Sequence, residues 1–126
     1  MDWFVSLNMD LLRSENGLVY LENKKYLSKV ADQIEWDFDM CGLVFERGNK
    51  PPESYHELFE LLYPTISKLI SSGDSQFSNL LYRIDVSEKK IHQRMLLRHE
   101  DKLDEVVSKM IIERCLQKVL TKEKYR

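Results

Sequence analysis

DKLDEVVSKMIIERCLQKVL, residues 101–120, carries more apolar side chains than one flank of a helix can hold. At about 100° per residue, Leu103, Val106, Val107, Met110 and Ile111 share one side, while Ile112, Cys115, Leu116 and Val119 run progressively round to the other. A helix that is apolar around most of its girth is buried on several sides. Two arrangements meet that demand. In the preferred one, this helix is the centre of a bundle. In the other, the second stripe, Ile112, Leu116 and Val119, is a partner-binding surface, and a homodimer through the C-terminal helix is the commonest solution.

Upstream, the same helical period recurs. Leu27, Val30, Ala31, Ile34 and Phe38 follow one another at three- and four-residue steps, and Cys41-Gly42 is expected to close that helix. LVFERGNKPP then reads as a loop. Ser54 and Glu57 form an S-x-x-E capping box ahead of Leu58, Phe59, Leu61, Leu62, Ile66, Leu69 and Ile70. Pro64 in their midst predicts a kink or break near Leu62–Pro64. Ser72-Gly73-Asp74 ends this segment and caps the next. Short helices are expected over 75–84 and 87–98, and Asp101 with Asp104 is expected to open the last helix.

The first twenty residues are ambiguous. Trp3, Val5, Leu7, Met9 and Leu11 alternate as in a strand, whereas Phe4, Leu7, Leu11 and Leu12 fit a helical stripe. Asn16-Gly17 before LVYL leaves room for a short N-terminal β-hairpin, but a helix is preferred. The reading is a single all-α domain over residues 1–126, a compact bundle of five or six helices.

Composition agrees with such a domain. Of 126 residues, 43% are apolar and 32% charged, with four glycines and three prolines. No apolar run approaches the ~20 residues that cross a bilayer. The start, MDWFVSLNMD, lacks the basic segment of a signal peptide. Cys41 and Cys115 stand far apart and read as reduced thiols of a cytoplasmic protein. Charge is divided unevenly. Residues 1–63 hold 6 basic and 12 acidic side chains, residues 64–126 hold 13 and 9. A chain polarised in this way pairs its own halves or offers faces of opposite sign to partners.

LLYRIDVSEKKIHQRM, residues 80–95, holds the strongest hint of nucleic-acid binding. "VSEKKI" resembles the turn and helix start of bacterial repressors, and a helix-turn-helix-like corner at 80–98 would present Lys89, Lys90, His92, Gln93 and Arg94 to the major groove. Departures weigh against it. Asp85 stands where the tight turn usually has Gly, Leu81 where a small residue is usual, and Arg94 where a residue usually packs inward. Glu88, Glu100 and Asp101 dilute the bases, and phosphate binding favours an undiluted basic stripe. Asp85 and Ser87 read better as helix caps. "LLYRIDVSE" together with "IIERCLQKVL" is similar to a small all-helical bacterial family of uncharacterised proteins. The resemblance covers the C-terminal half and implies no catalytic residues.

Candidate chemistry is sparse. Asp32, Glu35, Asp37 and Asp39 crowd DQIEWDFD, but a helix points them in different directions and there is no calcium loop. A solvated acidic face is expected, with Trp36 exposed among the acids as a protein contact. Glu53 and His56 have the E-x-x-H spacing of di-iron bundles, without a second pair. Nucleophile elbows and phosphate loops are missing from the sequence. No metal site or cofactor is therefore expected. The function read from the sequence is a non-enzymatic protein-interaction or scaffold module, with a nucleic-acid-binding corner as the alternative.

Overall fold

Helices begin and end where side chains or left-handed residues satisfy the free backbone groups at their termini. The computed structural model describes residues 20–97, 99 and 101–125, so the expected choice between hairpin and helix over residues 1–19 falls outside the described residues. A helical turn at 20–22 is followed by α1, Lys24–Met40, whose N-cap Asn23 accepts a hydrogen bond from the Lys25 amide. Gly42, at φ 71°, ends α1: its amide donates to Asp39 O and the Leu43 amide to Phe38 O, the paired bonds of a Schellman motif. A loop leads from there to α2. Phe45 anchors it by tilting against Phe38 at a ring separation of 5.6 Å.

Helix α2, Tyr55–Ser72, is capped by Ser54, whose Oγ accepts the Glu57 amide at 3.0 Å. It runs without interruption through Pro64, so of the expected kink or break the break does not occur. Pro64 lies on the exposed side, while Leu58, Leu62, Ile66 and Leu69 form one buried stripe across it. Burying that stripe contributes about 1.5–3 kcal/mol per side chain, which outweighs the roughly 3 kcal/mol cost of an internal proline. Gly73 ends α2 and Asp74 caps α3, Ser75–Ile84. Helix α4, Glu88–Leu97, and α5, Leu103–Lys124, complete the fold. The N-cap of α5 is Lys102, without a side-chain cap bond. The expected opening by Asp101 is corrected: its carboxylate instead faces Lys109 Nζ at 3.6 Å.

Among the described residues, helices α1 to α5 form one bundle with α5 at its centre, touching each of the other four. Ten α5 side chains are buried, and they face in every direction. No strand occurs among the described residues, and no helix there is long and apolar enough to cross a membrane.

Candidate functional site

Ile112, Leu116 and Val119, the candidate partner contacts on α5, are 0%, 0% and 6% exposed. The chain's own helices cover them, so they are corrected from partner contacts to core. Helices α1 and α2 both pack on α5.

Trp36, the fourth candidate, lies 57% exposed on the outward face of α1, one turn from Met40, also 57% exposed. Beside it a groove of about 320 Å³ runs between α1 and α5, lined by Lys29, Gln33, Trp36, Val119, Lys122 and Glu123 among others. Its polar walls are tied together. Glu123 takes a hydrogen-bonded ion pair from Lys29 and a hydrogen bond from the Tyr26 hydroxyl at 3.0 Å. The Lys29 bond, with help from Tyr26, holds the Glu123 carboxyl below its ordinary pKa, and the same bond to Glu123 raises that of Tyr26. Lys122 Nζ donates to Gln33 Oε1 at 2.6 Å.

Gln33 leads inward to the most consequential polar group. Its Nε2 donates at 3.2 Å to Asp37 Oδ2, and Asp37 is fully buried. Lys118 Nζ donates to the same oxygen at 3.0 Å, while Arg83 Nε donates to Oδ1 at 3.2 Å. One carboxylate thus joins α1, α3 and α5. Cys115 Sγ lies 3.8 Å from Oδ2. Burial first, then the Asp37 charge, drives this thiol's pKa far up, so it stays protonated at neutral pH and is no nucleophile. Of the four acids in the expected solvated cluster, Asp32 and Asp39 are exposed, Glu35 is half-buried and Asp37 is core. The hub escaped the sequence reading, although one signal was available: Asp37 sits three residues after Ile34 and seven after Val30, within the apolar stripe.

At the α3–α4 corner Asp85 takes the left-handed conformation, φ 71° and ψ 52°, in the position where Gly is usual. Its amide donates to Leu81 O and Tyr82 O and the Val86 amide donates to Leu81 O, while its carboxylate accepts from Arg114 Nη2 at 3.3 Å. Ser87 Oγ caps α4 by accepting the Lys90 amide. Both expected caps are present. Lys89, Lys90, His92 and Gln93 are exposed, but Arg94 is held against the body by Glu113 at 2.7 Å. The five candidate nucleic-acid contacts therefore do not form one free set.

Glu53 precedes the α2 N-cap and faces Lys24 at 4.0 Å, whereas His56 faces Glu60 at 3.9 Å, so this E-x-x-H pair does not converge. No group of three His, Cys, Asp or Glu side chains among the described residues is placed to hold a metal ion. No protein-family model, curated protein or solved structure matches the chain.

Proposed function

We propose that the chain is a non-enzymatic helical docking module that engages a protein through the outward face of α1. One observation carries this reading: Trp36 and Met40 stand exposed one turn apart beside the α1–α5 groove. Binding energy at protein interfaces concentrates on a few residues, with tryptophan strongly over-represented. The scaffold beneath is firm, since the side chains on the opposite side of α1, from Leu27 to Phe38, are fully enclosed.

A photo-crosslinking residue at position 36 tests the reading, with one at the exposed Lys68 of α2 as control. Position 36 captures a protein partner and position 68 does not. Trp36→Ala abolishes the same complex while leaving the melting temperature within a few degrees of wild type. Equal capture from both positions overturns the proposal.

A second reading is favoured by the exposed Lys89, Lys90 and His92 on α4, which follow a tight turn with left-handed Asp85 at its corner. Generic duplex DNA at low salt is the test, since phosphate attraction is strongest there. A salt-sensitive complex supports this reading, and absence of binding removes it.

A further inference from the structure

We propose that the outward face of α1 receives the outward face of α4 from a second copy of this chain, in a head-to-tail contact. This rests on the docking reading above and names the occupant.

Two observations lead to it. On α1, Trp36 and Met40 are flanked along one side by Asp32, Glu35 and Asp39; Asp32 is already held by Arg47 at 2.7 Å, whereas Glu35 and Asp39 form no ion pair with any described residue. On α4, only Ile91 is buried. Its outward side carries Lys89 and Lys90, whose ammonium groups likewise pair with no described residue, followed by Leu96 and Leu97 at 67% and 83% exposed. One face is acidic and apolar, the other basic and apolar.

The lengths match as well as the signs: Asp32 to Met40 and Lys89 to Leu97 each span eight residues, roughly 12 Å of helix. Brought together, the two faces oppose the acids of α1 to Lys89 and Lys90 and let its apolar residues pack with Leu96 and Leu97. Both faces turn away from the body that carries them, so they meet only between copies. Formed once per pair, such a contact is heterologous and closes into a ring or runs on as a filament; formed twice about a two-fold axis it gives a dimer.

Sedimentation of the whole chain over a concentration series tests the proposal. Wild type self-associates, and high salt weakens the association without any substitution. Lys89→Glu with Lys90→Glu, and separately Glu35→Lys with Asp39→Lys, each weaken it about a hundred-fold, because like charges then face each other. Mixing the two variants restores assembly, since the intact α1 face of one meets the intact α4 face of the other. A mixture that stays monomeric, or a wild type that is monomeric at every concentration, overturns the proposal. A monomeric wild type whose position-36 crosslinker still captures a foreign protein overturns the self-contact and leaves the docking reading standing. A monomer that captures nothing overturns both.

Discussion

Helices α4 and α5 are consecutive in the chain and opposite in character. Ten of the 22 residues of α5 are buried, against one of the ten residues of α4. Both carry apolar residues in plenty. What differs is their arrangement. In α5 they circle the helix, so the other elements must wrap it. In α4, Ile91 faces the body while Leu96 and Leu97 face out. Apolar content alone therefore does not say whether a helix is core. Its angular distribution does, and apolar residues that face away from every neighbouring element are available for recognition.

Substitutions break or sharpen this contrast. The largest effect belongs to α5: Leu116→Ala empties a fully enclosed site and lowers global stability by about 3–5 kcal/mol, read from denaturant unfolding. Asp37→Asn comes next. It removes the charge that Arg83 and Lys118 share. Because Arg83 is 39% and Lys118 18% exposed at the side chain, both relax partly into water, and the loss is about 2–3 kcal/mol instead of the 3–5 of a sealed pair. Ile91→Ala should cost about 2 kcal/mol, but confined to α4: native-state hydrogen exchange accelerates there and leaves α5 protected. Equal acceleration in both helices would show that they open as one unit.

The smallest effect is the acid response of the Tyr26–Lys29–Glu123 cluster. The folded state lowers the pKa of Glu123, so its contribution is present above the ordinary carboxylate range and is lost as pH falls through the lowered folded-state value. The difference in melting temperature between wild type and Glu123→Gln shrinks over that window. A difference that stays constant down to the acid limit would contradict this assignment.

The helices were legible because their signals are local. The Leu27–Phe38 stripe, the Ser54–Glu57 cap and the Gly42 and Gly73 stops act within a turn or two, and each is where the pattern places it. Long-range features were not legible. Nothing near Asp37 announces that Arg83, 46 residues on, and Lys118, 81 residues on, will meet it. Pro64 shows the converse. Its local rule is sound, but burial on both sides of it prevails. Trp36 was read as exposed from the acids around it, and it lies 57% exposed. The α5 candidates failed because the same apolar surplus serves a core and an interface equally well.

The carboxylate at the junction of α1, α3 and α5 bears on how the chain is made. A ribosome releases Asp37 long before Arg83 and Lys118, the two cations that share its charge. Until residue 118 emerges, closing the first helices over that acid would leave it only partly neutralised in a dry interior, which favours an open nascent chain. Completion of the last helix is then the event that commits the polypeptide to fold, and a copy cut short of residue 118 is left for chaperones and proteases.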